Sequence, residues 1–135
     1  TLVIVKPEVE LSTKAARAVL PESVLRCDAV FNIGRAVLVT EALRSGDLSL
    51  LAQVMNDRIH QPYRLKYISG GEGAYLAAKS CGAVALSGAG PSLVAFVEAS
   101  EADQAKGLMI AAFGEAGVGC RAFVTHPSAR GVWVE

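Results

Sequence analysis

Residues Ala83-Val84-Ala85-Leu86-Ser87-Gly88-Ala89-Gly90-Pro91-Ser92-Leu93-Val94-Ala95-Phe96-Val97 set two short apolar runs on either side of a small-residue hexad. Apolar runs of this length, rich in valine and bounded by turn residues, read as buried strands. The hexad Ser87 to Ser92 is then the reversal between them, built from the glycine, proline and serine that reversals use. A sharper reading is also open. Gly88 and Gly90 would let the backbone come close to a ligand, and consecutive N–H groups in such a turn can form a nest for an anion. It is no Walker A loop, since GxxxxGK[ST] occurs nowhere in the chain, and it lacks the GxGxxG spacing and following helix of a dinucleotide fingerprint.

Working outward, Leu2 to Val5 is a first strand-like run, closed by Lys6-Pro7. Leu11-Ser12-Thr13 opens a helical pattern to about Val19, with Ser12 or Thr13 as N-cap, ended by Leu20-Pro21. A long helix is expected from about Ser23 to Arg44, stopped by Ser45-Gly46 and apolar around most of its circumference. Its exceptions, Asp28, Asn32 and Arg35, share one face, as a polar seam between helices or a reach into a cleft. Asp47 caps a further helix expected from Leu48 to about Ile59, and the pattern breaks at Pro62. Helices from Glu72 to Ser80 and Glu101 to Ala116 flank the hairpin, and Cys120–Thr125 and Val132–Val134 close the chain as strands. The resulting order suits an α+β domain, a ferredoxin-like split β-α-β antiparallel sheet with additional helices packed on one face.

The 135 residues are one domain by length, and at 52% hydrophobic they can bury a substantial core. Thirteen basic residues balance thirteen acidic ones, so charge gives no reason to expect nucleic acid or an anionic membrane. Charged residues interrupt every apolar stretch well short of the ~18 residues of a membrane helix. Three scattered cysteines, Cys27, Cys81 and Cys120, argue against a disulfide framework and for a reducing, cytoplasmic compartment. With no ligand at zinc spacing, all three read as buried small apolar residues, and no metal site is expected.

Three segments keep company with the hexad and the Leu86 that leads into it: Ser12-Thr13-x-x-Ala16-Arg17-x-x-Leu20-Pro21; Asp28-Ala29-Val30-Phe31-Asn32-x-x-Arg35; and Asp57-Arg58-x-His60-Gln61-Pro62-Tyr63-Arg64. In this order and spacing they resemble the C-terminal domain of the homoserine kinases, a branch of the GHMP small-molecule kinase family. The resemblance covers nearly the whole chain, and HQPYR is its most distinctive part. Ser69-Gly70 departs from it, since the family commonly carries proline before that glycine. Residues 1–135 are therefore expected to be the C-terminal domain, without the N-terminal ATP-binding domain and its PxxxGLGSSAA-type phosphate loop. The opening at Thr1, directly in a strand, is read as a cut through a longer protein.

The resemblance implies phosphoryl transfer from ATP to L-homoserine, a step towards threonine. Such chemistry asks mainly for positioning and charge stabilisation. By similarity, Arg17 and Arg64 would grip the substrate carboxylate, which suits the planar fork of arginine, with Thr13 one turn before Arg17. Ser87, Gly88, Ala89 and Gly90 would close over the nucleotide phosphates, with Ser87 or Ser92 adding a hydroxyl. No residue of this chain is assigned as a catalytic base, and His60 is read as structural. Any Mg²⁺ ligands would lie on ATP or the other half of the protein. The implied partners are the two substrates and the protein's own N-terminal domain, with room left for a homodimer. Two other readings stay open: another GHMP-type kinase acting on a different small alcohol, and a non-catalytic ferredoxin-like ligand-binding module.

Overall fold

The computed structural model describes residues 1–132. Its strands are β1 (Leu2–Pro7), β2 (Gly82–Leu86), β3 (Leu93–Val97) and β4 (Cys120–Thr125), joined in one antiparallel sheet of order β2-β3-β1-β4. Val5 faces Leu93, Leu86 faces Leu93 from the other side, and Pro7 faces Cys120. This order is the split β-α-β arrangement expected from the sequence. The expected strand at Val132–Val134 falls largely outside the described residues.

The helices are α1 (Thr13–Ala18), α2 (Arg26–Ser45), α3 (Leu48–Val54), α4 (Gln61–Leu65), α5 (Gly71–Lys79) and α6 (Ala102–Glu115). Their caps reflect local chemistry. Ser12 Oγ accepts from the Ala15 N–H at 3.1 Å and Asp47 Oδ1 from the Leu50 N–H at 2.8 Å, while Gly46 ends α2 in the left-handed region at φ 72°. Two boundaries differ from the sequence expectation. Helix α3 stops at Val54, short of Ile59, because the chain turns there to start another helix. Pro62 opens α4 instead of breaking it, since the first helical turn needs no N–H from that residue.

Strand alternation sorts the core into two parts. Val3, Val5, Val84, Leu86, Leu93, Ala95 and Val97 turn to one face, where α5 and α6 cover them with Ala74, Ala78, Met109 and Phe113. Ala83 and Phe96 turn to the other face and pack with Ala42 of α2 and Leu51 of α3. The additional helices α2 and α3 thus cover the β2–β3 half of the face opposite α5 and α6, while α4 adds Leu65 to the first core. The physical reason lies in β2, where Ala83 and Val84 are adjacent and both buried, the mark of a strand covered on two sides. The cysteine expectation also needs correction. Cys27 is exposed on the first turn of α2, and Cys81 and Cys120 are only half-buried, although all three are free thiols. No helix among the described residues is long and apolar enough to cross a membrane.

Candidate functional site

Because β1 and β2 both run antiparallel to β3, they are parallel to each other and end on the same side of the sheet. Strand β1 leads into α1, which carries Thr13 and Arg17, and β2 leads into the hexad. The topology thus brings two of the singled-out segments to one end of the domain.

The hexad is a closed loop. The Ser87 N–H donates to the Ser92 carbonyl at 2.8 Å, and the Gly90 N–H to the Ser87 carbonyl at 3.1 Å. Gly88 and Gly90 sit at φ 62° and 84°, where a side chain is strained. They differ in surroundings. A Cβ on Gly88 would point into open space, whereas one on Gly90 would lie 3.2 Å from both Ile68 Cδ1 and Leu86 Cδ2. Gly90 thus lets the loop settle onto the core, and Gly88 leaves its outer side bare. Among the described residues, the N–H groups of Gly88, Ala89 and Ser92 have no backbone acceptor. Three free donors on a glycine turn suit an anion.

Helix α4 brings the third segment to the same place. Buried Gln61 accepts a hydrogen bond through Oε1 from the Leu86 N–H at 2.7 Å, tying the helix to the last residue of β2 before the loop. Arg64, one turn on, donates through Nε to the Ala16 carbonyl at 3.0 Å, joining α4 to α1 beside Arg17. Its Nη1 lies 3.2 Å from His60 Nδ1. Arg64 is half-buried and spends part of its fork on these protein contacts, while Thr13 and Arg17 are exposed and make no side-chain hydrogen bond or ion pair among the described residues. Arg64, Arg17 and the glycine loop are therefore linked through α1, α4 and β2.

Asp57 holds the start of α4. Its carboxylate accepts from the His60 N–H at 2.7 Å, the Gln61 N–H at 2.6 Å and Asn32 Nδ2 at 2.5 Å. Asn32 Oδ1 accepts in turn from the Arg58 N–H at 3.0 Å. Burial pushes the Asp57 carboxyl up, but these donors outweigh it and hold its pKa below the ordinary value. His60 is shifted down, first by burial and also by the Arg64 charge, against the opposing pull of Asp57. A neutral imidazole fits its Nδ1 accepting from Arg64. Arg35 and Arg58 stack on the Phe31 ring, 3.7 and 3.8 Å from its centroid, and Asp28 lies 3.4 Å from Arg58. Asp28, Asn32 and Arg35 thus meet the Asp57 turn and α2 itself.

Neither Asp57 nor Gln61 is assigned a role by the sequence alone. For Asp57 the signal is the spacing Asp57-x-x-His60-Gln61 before a proline-opened helix, because a carboxylate three residues ahead reaches the first free amides. Gln61 has no comparable local signal; its partner lies 25 positions away.

Comparison with known proteins bears on the family of the chain. Residues 39–115 match the family model described as GHMP kinases C terminal. Homoserine kinase of Prochlorococcus marinus (strain NATL1A) is 42% identical over 122 residues, covering 89% of this chain and 39% of the relative. That of Moorella thermoacetica is 42% identical over 120 residues, with 87% and 40% covered. The crystal structure of homoserine kinase from Cytophaga hutchinsonii superposes with a TM-score of 0.84 at 29% identity, over 90% of this chain and 40% of that one. The chain spans about two fifths of the length of the curated relatives it matches. A model matched over more than half of its length, on a sheet of the expected order, places this chain in the GHMP kinase family, in the region of the C-terminal domain.

Proposed function

We propose that residues 1–135 are the C-terminal domain of a homoserine kinase and that the whole protein phosphorylates L-homoserine. The observation that carries this is the Gln61–Leu86 hydrogen bond, which fixes the HQPYR helix to the root of the glycine loop. An amino-acid alcohol needs a carboxylate grip at a set distance from the phosphates it will attack. A rigid link between a helix bearing arginine and an anion-suited loop supplies that distance.

In this reading the substrate hydroxyl oxygen bonds to the γ-phosphorus of ATP, the bond to the bridging oxygen of ADP breaks, and the hydroxyl proton leaves to solvent or product. Arg17 and the free part of the Arg64 fork hold the α-carboxylate, with Thr13 beside them. The N–H groups of Gly88 and Ala89 approach the phosphates, and Ser87 and Gly90 give the loop its closed shape. In this reading Mg²⁺ would be held by ATP and by residues of the other half of the protein. The ATP-binding half likewise belongs to the rest of the protein. Three unpaired cysteines fit a cytoplasmic setting.

The test is ADP release by the natural full-length protein with ATP, Mg²⁺ and L-homoserine, beside a panel of other small alcohols. Homoserine-dependent turnover is expected. Turnover with another alcohol instead would keep the family and replace the substrate; none with any alcohol would leave a binding module.

A further inference from the structure

His60 stands at the N-cap of α4, yet its side chain does not cap the helix. Asp57 Oδ2 does that work, accepting from the backbone N–H groups of His60 and Gln61. The structural duties of His60 fall to its main chain, whose carbonyl accepts from the Tyr63 and Arg64 N–H groups at 3.2 and 3.0 Å. Its imidazole is left over for another purpose, with 34% of the side chain exposed. The ring reaches one turn along α4, where Nδ1 lies 3.2 Å from Arg64 Nη1. A guanidinium can only donate, so Nδ1 is the acceptor and the ring hydrogen sits on Nε2. Nε2 lies 3.9 Å from Asp57 Oδ1, a charge that favours this tautomer. Burial first, and the Arg64 charge with it, hold the ring below its ordinary pKa against the pull of Asp57, which leaves Nδ1 free to accept.

We propose that His60 is a positioning residue for the substrate carboxylate, acting through the Arg64 guanidinium. This rests on the homoserine kinase reading and adds a residue to it. Arg64 carries its N–H donors in one rigid plane. The Ala16 carbonyl takes the donor on Nε at 3.0 Å, and His60 Nδ1 takes one on Nη1. Anchors on two nitrogens, one from α1 and one from the start of α4, fix the plane of the fork and stop it swinging. With Nε occupied, a carboxylate can be held bidentately only through Nη1 and Nη2, so the anchors also select the edge that binds. The Ala16 carbonyl belongs to the residue before Arg17, which ties the fork to the second arginine given to the same carboxylate. A fork ordered before the substrate arrives need not be ordered by it, and that saving appears as affinity for the substrate.

The test is steady-state kinetics of the natural full-length protein with ATP, Mg²⁺ and L-homoserine, with circular dichroism confirming that each variant folds. His60→Leu removes the acceptor and should raise the homoserine KM roughly three- to tenfold, with kcat and the ATP KM within about twofold of wild type. His60→Asn, whose Oδ1 is bonded at the same branch as Nδ1, should return the homoserine KM to within about twofold of wild type. In an Arg64→Ala background His60→Leu should change nothing further, because the group through which it acts is gone. His60→Ala repeats the comparison should leucine disturb the turn, and the backbone N–H that Asp57 holds is present in every variant. An unchanged homoserine KM in both His60→Leu and His60→Ala overturns the positioning role. So does a loss shared equally by kcat and the ATP KM, a failure of asparagine to rescue, or an undiminished effect in the Arg64→Ala background. A wild type that turns over no homoserine overturns the kinase reading and the positioning role together; homoserine turnover indifferent to His60 overturns the positioning role alone.

Discussion

Replacing Gln61 with leucine probes the link on which the site depends. Gln61 is 5% exposed and Leu86 6%, so their 2.7 Å hydrogen bond is closed to solvent. Leucine has nearly the same bulk, so the change removes the acceptor and leaves the Leu86 N–H buried with no partner. An unsatisfied buried donor costs about 1–3 kcal/mol. Unfolding entropy of about 2.1 cal/mol/K per residue gives roughly 0.3 kcal/mol per degree for a domain of this size. The Tm should therefore fall by about 4–10 °C, read by calorimetry or far-UV circular dichroism. Gln104→Leu on the exposed face of α6 serves as control and should shift Tm by less than about 2 °C. A Gln61→Leu shift no larger than the control's would refute the reasoning, since the Leu86 amide would then have lost nothing with its partner.

The same contacts support three more expectations. Asp57 has a folded pKa below its ordinary value, so its contribution is fully present above the unfolded carboxylate range, near pH ~4, and is lost as pH falls through the lowered folded value. Urea titrations should show wild type more stable than Asp57→Asn at neutral pH, with the gap closing in acid; a gap that widens in acid would contradict this sign. Gly88→Ala and Gly90→Ala both place a side chain at positive φ, at about 1–2 kcal/mol each, but only Gly90→Ala also crowds Ile68 and Leu86. Denaturant midpoints should rank Gly90→Ala the less stable, and the reverse order would mean the loop does not settle on the core as described. Leu51→Ala empties the second core at a residue 1% exposed and should cost about 2–5 kcal/mol, while a loss below about 1 kcal/mol would mean α3 does not seal that face.

The sheet was legible because its signals are local. Apolar runs bounded by turn residues mark β2 and β3, and Ser12, Gly46 and Asp47 announce helix ends with their own side chains or backbone freedom. The side on which α2 and α3 pack was harder to read. Alanine and valine at consecutive β2 positions signal burial on both faces but do not say which helix covers which. The exposure of α2 runs against its composition, since an apolar circumference reads as burial and the domain supplies no cover. At the candidate site, Arg17 and Arg64 were singled out by the resemblance of their segments, and the glycines by turn chemistry as well. Asp57 and Gln61 act through the backbone of other segments, which only the folded chain brings near.

The measurement that bears most directly on the account is the pair of KM values, for homoserine and for ATP, of the full-length protein carrying Arg64→Ala. The helix that holds Arg64 is fixed to α1 through the Ala16 carbonyl, and the proposed function gives the remaining Arg64 donors to the substrate carboxylate. Losing a charged hydrogen bond should cost about 1.5–3 kcal/mol, so the homoserine KM should rise by roughly 10- to 150-fold with the ATP KM little changed. An equal rise in both, or a change in the ATP KM alone, would contradict the assignment of Arg64 to the amino-acid carboxylate.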